Sequence, residues 1–317
     1  MVQLAKVHDA GRYSATEPSA NPLVILNPAA NRGKMERHRE VVRNRLLREQ
    51  ADYRETTKQG EAKELALTAA KEGRPVIIVG GDGSVHEVVN GILASGRRVP
   101  LGIVGAGSGN DFAWNTLKLP HDPTVAIERA FDGRLVEVDA GIVNGRYFAN
   151  SFSVGLDADI AVAANRMKNI PLMSGSRLYY TSTLKQLLFG YNRCPWLSFK
   201  LDDGEKACNT QFRRCVLMAV THGPTYGAGF RINPSADHTD GLFDICAIDY
   251  MPLLRALKLL PIVKKGEHAG LPEITFYRAK SVYIESQYPV NVQMDGETTS
   301  AKSCDAKILP GVLWVRI

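Results

Sequence analysis

Gly80-Gly81-Asp82-Gly83-Ser84 follows the apolar run Val76-Ile77-Ile78-Val79, and Val85, Val88, Val89, Ile92 and Leu93 come after it at helical spacing. A buried strand that feeds a glycine loop into a helix start makes a phosphate site. Backbone N–H groups and the positive end of the helix dipole converge there, and glycine lets phosphate approach closely. The loop is neither Gly-x-x-x-x-Gly-Lys-Ser/Thr nor Gly-x-Gly-x-x-Gly. Alone, a Gly-Asp-Gly turn followed by a capping box from Ser84 to Glu87 reads equally well as simple punctuation. Two further loops shift that balance. Leu23-Val24-Ile25-Leu26 leads into Asn27-Pro28-Ala29-Ala30-Asn31-Arg32-Gly33-Lys34, and Leu101-Gly102-Ile103-Val104 leads into Gly105-Ala106-Gly107-Ser108-Gly109-Asn110-Asp111. Three Gly/Asn-rich loops at three strand ends form the crevice expected at the carboxyl edge of a parallel sheet. The other acidic candidates lie in Asp240-Gly241 and Asp295-Gly296, which on pattern alone read as hairpin turns.

The elements that must carry these loops alternate strand and helix from residue 22 to 133. A helix over 61–72 presents Ala62, Leu65, Ala66, Ala69 and Ala70 on one face and stops at Gly73 and Pro75. This pattern predicts an α/β domain with a parallel, doubly wound sheet. Beyond Gly133 the texture changes. Val136–Val143 and Tyr147–Val154 flank Asn144-Gly145, a strong hairpin signal, and Asp203-Gly204 marks another turn. Residues 134–317 therefore read as a β-rich, antiparallel, sandwich-like domain whose last segment can return to the first, with residues 1–21 as a loose tail.

The chain has 317 residues, a formal net charge of +6 and five cysteines. Cysteines 194, 208, 215, 246 and 304 show no metal spacing and read as reduced packing residues of a cytosolic protein. No apolar run approaches the ~18 residues of a membrane span. No signal-peptide pattern opens the chain. Lys34, Arg37, Arg39, Arg43, Arg45 and Arg48 form a basic run that reads first as a solvated helix face and second as an attractor of anionic headgroups. No stacking pattern for nucleic acid accompanies it. Residues 167–197 combine Leu184, Leu187, Leu188, Phe189 and Trp196 with Lys185 and Arg193. They read as core helices or as a greasy, basic-edged mouth for a lipid tail.

Six motifs in order resemble the diacylglycerol-kinase-type catalytic family of bacterial lipid kinases, which is related to sphingosine and ceramide kinases. They are the Asn27-Pro28 loop, Gly80-Gly81-Asp82-Gly83-Ser84 with Glu87-Val88-Val89-Asn90-Gly91, Gly107-Ser108-Gly109-Asn110-Asp111-Phe112-Ala113, His222 to Pro234, Asp240-Gly241-Leu242-Phe243-Asp244, and Asp295-Gly296-Glu297. Asn31 stands where the family has Gly, Ala228 replaces the middle Gly of a Tyr-Gly-Gly-Gly segment, and Ser84 replaces Thr. The resemblance implies an ATP-dependent lipid kinase that moves the γ-phosphate to a lipid hydroxyl, with diacylglycerol giving phosphatidic acid as the first choice. Phosphoryl transfer rests on positioning and electrostatics. The cradle would be Asn27, Gly80, Gly81, Asp82, Gly83, Ser84, Gly107, Ser108 and Asn110, with Asp82 also on Mg²⁺. Asp295 would be the catalytic base and Glu297 its support. Asp240 and Asp244 would bind a second Mg²⁺. His86 and His222 read as packing residues.

The implied setting is cytoplasmic with peripheral membrane association and a lipid partner, without nucleic acid. It leaves open a homodimer and contact with anionic phospholipid headgroups. Rival readings are a kinase of a sphingoid lipid or of NAD, and a non-catalytic, nucleotide-responsive membrane module.

Overall fold

The computed structural model describes residues 14–15, 21–167, 175–202, 208–227 and 229–317. The chain forms two compact units. The first comprises residues 1–107, 117–149 and 309–317, and the second residues 108–116 and 150–308. The Asp203-Gly204 turn and Ala228 lie outside the described residues.

In the first unit, strands Leu23–Leu26, Asp52–Glu55, Val76–Gly80 and Pro100–Gly105 are joined by helices α1 (Glu36–Leu46), α2 (Glu61–Lys71) and α3 (Asp82–Ala94). Helix α4 (Pro123–Asp132) follows the fourth strand. The strands pair in parallel, with Leu23 opposite both Asp52 and Val76, and Val76 opposite Leu101. Trp314 and Val315 add a further parallel strand against Pro100 and Leu101. Spatial order therefore reverses between Leu23–Leu26 and Val76–Gly80, which makes that gap the switch point where ligands bind in such sheets. Val24, Leu26, Ile77, Val79 and Val104 pack one sheet face against Met35, Val42 and α4 residues Ala126, Ile127 and Ala130. Glycines set the helix spacing elsewhere. A Cβ at Gly91 would meet the Lys63 carbonyl at 2.4 Å, so α2 and α3 close only on glycine.

The hairpin Leu135–Val143 and Arg146–Phe148 turns at Asn144 (φ 48°) and Gly145 (φ 80°) and belongs to this unit. Asn90 of α3 fixes it there: its amide donates to the Tyr147 carbonyl at 2.9 Å and accepts from the Tyr147 N–H at 3.2 Å. The division consequently falls at 149/150, where composition alone suggests 133/134.

The second unit is built on antiparallel pairing. Ser151–Gly155 pairs with Arg213–Thr221 and with Val292–Met294. Arg213–Thr221 pairs with Phe243–Asp249, which pairs with Ile274–Ala279. Ser281–Met294 pairs with the strand Glu297–Arg316 and with Trp196–Asp202. Helices α5 (Leu156–Met167), α6 (Gly175–Phe189) and α7 (Leu253–Lys265) enclose a core that includes Leu156, Ile160, Leu187, Phe230, Ile248 and Leu259.

Candidate active site

The first unit gathers seven of the nine cradle residues at the switch point. Asn27 follows the first strand and its Nδ2 donates to Ser84 Oγ at 2.7 Å. Its Oδ1 accepts the Ala29 N–H at 2.9 Å, which folds the loop. Asn31, Arg32 and Gly33 then run through left-handed backbone (φ 46°, 56° and 77°), so Asn31 adopts the conformation that glycine would supply. Gly80 is packed so closely that a Cβ would meet Ser84 Cβ at 2.7 Å. At Gly81 a Cβ would lie 3.0 Å from Gly107 Cα, so the second and third glycine loops pass side by side. The Ala106 N–H donates to the Gly80 carbonyl at 2.8 Å and ties them together.

The loop is shorter than its composition suggests. Gly81 is the N-cap of α3, and Asp82 and Gly83 already lie in the first helical turn. The capping box does not form, because Ser84 Oγ is engaged by Asn27 and the Glu87 carboxylate accepts the Gly60 N–H at 2.8 Å. Among the described residues no side chain caps the helix start, and the Ser84 and Val85 N–H groups donate to the Gly81 carbonyl at 2.9 and 3.1 Å. His86 is buried within α3 beside Asn90, a packing position.

Ser108 and Asn110 lie on the segment that belongs to the second unit, Ser108 exposed and Asn110 buried with φ 54°. Asp111 opens the π-helical turn Asp111–Thr116 that follows.

Asp295 and Gly296 occupy a two-residue hairpin turn with φ 47° and 90°. The turn and the chemical candidate are thus the same residue. Its Oδ1 accepts the N–H groups of Asn150 and Ser151 at 2.9 and 3.0 Å, and its own N–H donates to the Ser151 carbonyl at 2.9 Å. Asn150, which no motif singles out, is the hub. It receives the Thr116 hydroxyl at 2.8 Å, donates Nδ2 to the Thr225 carbonyl at 2.8 Å, and gives its carbonyl to the His222 N–H. Asp111 takes the other side of this loop through the Thr225 hydroxyl at 3.1 Å and the Gly229 N–H at 3.0 Å. Gly223 must be glycine, since a Cβ would overlap Thr116 Oγ1 at 1.9 Å and Asn150 Oδ1 at 2.4 Å. The segment from His222 to Phe230 is therefore anchored to the hairpin that carries Asp295. Glu297 pairs through its backbone with Met294 across that turn.

His222 is fully buried against Phe243, and burial pushes its imidazole down to about 3 despite the opposing charge of Asp295. It stays neutral through the working range, as a packing residue would. Asp240 Oδ1 accepts the Leu242 N–H at 3.0 Å, and its other oxygen pairs with Arg278. The Arg278 guanidinium also lies 3.6 Å from Asp244. Burial raises the Asp244 carboxyl to about 6; Arg278 opposes the shift, while the charges of Asp240 and Asp237 add to it. Asp244 Oδ2 and Asn233 Oδ1 are buried acceptors with no hydrogen-bond partner among the described residues, and both residues line one cavity. No cluster of three or more His, Cys, Asp or Glu with metal-holding geometry occurs among the described residues.

The basic run along and just beyond α1 is largely neutralised within its own unit. Arg37 pairs with Asp122, Arg39 with Glu55, Arg45 with Glu49, Glu128 and Asp132, and Arg48 with Glu128. Leu187 and Tyr191 are core, whereas Leu184, Leu188 and Phe189 are exposed. An apolar cavity of about 90 Å³ lies beneath α6, lined by Thr183 and Leu187 of that helix, by Leu156 and Ile160 of α5, and by Leu259 and Val263 of α7. Four cysteines (194, 215, 246 and 304) are buried free thiols. No described helix is long and apolar enough to cross a membrane.

Comparison with known proteins fixes the class. Residues 21–143 match the diacylglycerol kinase catalytic domain, and residues 150–317 match the YegS C-terminal NAD kinase beta sandwich-like domain. A diacylglycerol kinase of Mycobacterium tuberculosis is 32% identical over 257 residues, 79% of each chain. One from Staphylococcus haemolyticus is 30% identical over 281 residues, covering 86% of this chain and 81% of the relative. A solved diacylglycerol kinase structure from Bacillus anthracis strain Sterne covers 94% of this chain and 96% of its own at TM-score 0.68 and 20% identity. A second structure from that organism reaches TM-score 0.77 at 23% identity, covering 96% and 97%. These two share the fold. The sequence matches define a lipid kinase that takes ATP as its phosphate donor. The chain belongs to the diacylglycerol kinase catalytic family.

Proposed function

We propose that the chain phosphorylates diacylglycerol to phosphatidic acid at a membrane surface. The observation that carries this reading is the apolar cavity beneath α6, within the unit that also holds Asp295. A hydrocarbon chain gains ~25 cal/mol per Å² of apolar surface removed from water, and this cavity offers almost nothing else. The relatives from M. tuberculosis and S. haemolyticus carry the name of that activity.

In this reading Asn27, Gly80, Gly81, Gly83, Ser84 and Gly107 cradle the nucleotide phosphates, joined by Ser108 and Asn110. Asp82, at the uncapped start of α3, holds the nucleotide-linked Mg²⁺, which neutralises charge on the phosphates. Asp295 orients the acceptor hydroxyl and takes its proton, with Glu297 beside it in the chain. Asp240 and Asp244 hold a second Mg²⁺. The two partnerless acceptors, Asp244 Oδ2 and Asn233 Oδ1, fit such a cation, and one Arg278 faces the crowded carboxylates of Asp237, Asp240 and Asp244. Helix α6 meets the bilayer. Tyr180, Leu184 and Leu188 recur at four-residue spacing on its exposed side, Phe189 is 77% exposed, and the helix sequence carries Lys185 but no acidic residue.

The test is transfer of labelled γ-phosphate from ATP with Mg²⁺ to lipids in mixed micelles. Label in phosphatidic acid is the expected result. Label confined to sphingosine, ceramide or NAD would replace the substrate, and no transfer to any acceptor would remove the reading.

A further inference from the structure

Helix α6 ends at Phe189, and the chain runs on through the short turn Tyr191–Arg193 into the strand Trp196–Asp202. Along that strand Leu197, Phe199 and Leu201 are buried, so the alternation turns Trp196 outward, where it is 48% exposed. Leu197 pairs with Ser286 of the strand Ser281–Met294. That strand loses its register with Glu297–Arg316 between Glu285 and Val290, and within this irregularity Tyr288 stands 75% exposed. Trp196, Tyr288 and Pro289 line one pocket of about 270 Å³ together with Arg193 and Arg214, all within the second unit.

The cations of this pocket are held by uncharged groups. Arg214 lies flat on Tyr250, its Cζ 3.7 Å from the ring centroid. Its Nη2 donates to the Asn192 carbonyl at 2.6 Å and its Nε to the Cys194 carbonyl at 3.4 Å. These partners fix the guanidinium and leave its charge uncancelled. Arg193 is exposed at the end of the turn. Burial raises the Asp159 carboxyl of α5, and the charge of Arg193 opposes that rise; Asp159 Oδ1 is itself held by Asn291 Nδ2 at 2.6 Å. Tryptophan and tyrosine settle at the headgroup level of a bilayer, with an apolar body and a polar tip. A guanidinium is the side chain best matched to phosphate oxygens. A pocket that joins two of each presents cations at the depth where an anionic lipid carries its phosphate. The exposed Leu184, Leu188 and Phe189 immediately precede it in the chain and continue its apolar rim.

We propose that this pocket is a headgroup site for the phosphate of an anionic phospholipid, with Arg193 and Arg214 as the phosphate partners and Trp196 and Tyr288 as interfacial anchors. The proposal rests on the reading that α6 meets the bilayer. It goes further by giving the second unit its own preference for a net-negative surface, independent of the arginines of α1.

The experiment compares binding to vesicles of phosphatidylcholine alone with binding to vesicles of equal parts phosphatidylglycerol and phosphatidylcholine. It uses wild type, Arg193→Gln, Tyr288→Ala, Trp196→Phe and the double change Leu184→Asp with Leu188→Asp. Arg193 and Tyr288 are exposed, and Arg214, which braces the turn, is left intact. Wild type should bind the mixed vesicles at least about fivefold more tightly than phosphatidylcholine alone. Arg193→Gln should lose about fivefold on the mixed vesicles and nothing on phosphatidylcholine. Tyr288→Ala should weaken both severalfold. Brominated acyl chains should quench part of the wild-type tryptophan fluorescence, and that part should vanish in Trp196→Phe. Equal affinity of wild type for the two vesicles, unchanged binding in Arg193→Gln, or undiminished quenching in Trp196→Phe would overturn the proposal. In each of those cases a loss of binding in the Leu184/Leu188 double variant would keep the α6 reading, whereas failure of wild type to bind either vesicle would end both. Free glycerol phosphate separates the lipid from a soluble ester. If it changes Trp196 fluorescence while Arg193→Gln binds the mixed vesicles like wild type, the pocket takes a soluble phosphate and the lipid assignment falls.

Discussion

The Oδ1 atom of Asp295 already accepts two backbone N–H groups, so its turn conformation and its proposed chemistry are carried by one side chain. Asparagine preserves that acceptor while losing the capacity to take a proton. Asp295→Asn should therefore fold normally, bind ATP within about threefold of wild type and lose at least about a hundredfold in transfer rate. Nucleotide titration and turnover on one preparation check this; a loss below tenfold would remove Asp295 as base. His222 gives the residue-scale prediction on pH. Its folded value near 3 lies below the ordinary 6.5, so the unfolded chain binds the proton first as pH falls. Its contribution to stability is complete above pH 6.5 and declines from there towards pH 3, by up to about 1.4 kcal/mol per pH unit. Urea midpoints at pH 7.5, 5.5 and 4.5 should fall in wild type and fall less in His222→Asn. Parallel decline would show that other groups carry the acid sensitivity.

Elements were legible where one period or one turn rule decides them. The apolar strands, the alanine face of α2 and the Asn144-Gly145 and Asp295-Gly296 turns all follow from local chemistry. The capping box was misleading because Ser84 is drawn to Asn27, 57 residues away. The hairpin at 135–148 sits with the first unit because Asn90 holds Tyr147, again a long-range bond. Asn150 carries no local signal of its hub role, since its side chain is held by partners more than thirty residues distant, and the Asp111 bond to Thr225 likewise spans more than a hundred residues. The α2–α3 contact gives a prediction at this scale. Gly91→Ala forces a Cβ against the Lys63 carbonyl and should cost about 1–3 kcal/mol, read from the urea midpoint. An unchanged midpoint would show that the helices separate freely. For α6, replacing Leu184 and Leu188 together by Asp should reduce binding to phosphatidylglycerol-containing vesicles at least about tenfold, because each buried leucine contributes roughly 1.5–3 kcal/mol. Vesicle binding equal to wild type would move the membrane contact to another face.

At the scale of the whole molecule, a net charge of +6 is less available than the number implies. Three arginines of α1 and Arg48 just beyond it are matched by acids within their own unit, so long-range attraction to an anionic surface must draw on other basic side chains. If α6 meets the bilayer as proposed, apolar contact carries more of the association, which should persist at salt concentrations that screen exposed charges beyond ~8 Å.

The strand Glu297–Arg316 is shared between the units: residues up to 308 belong to the second, and 309–317 complete the sheet of the first. During synthesis on the ribosome, the first unit thus waits for more than 150 residues before its edge at Pro100–Gly105 receives the Trp314–Val315 partner. An apolar parallel strand with an open edge is a template for association with other chains. A version ending at Ile308 should emerge as aggregate rather than as a weakened enzyme, while adding residues 309–317 as a separate peptide should recover soluble material. Full solubility of the shortened version would show that this edge is protected in some other way.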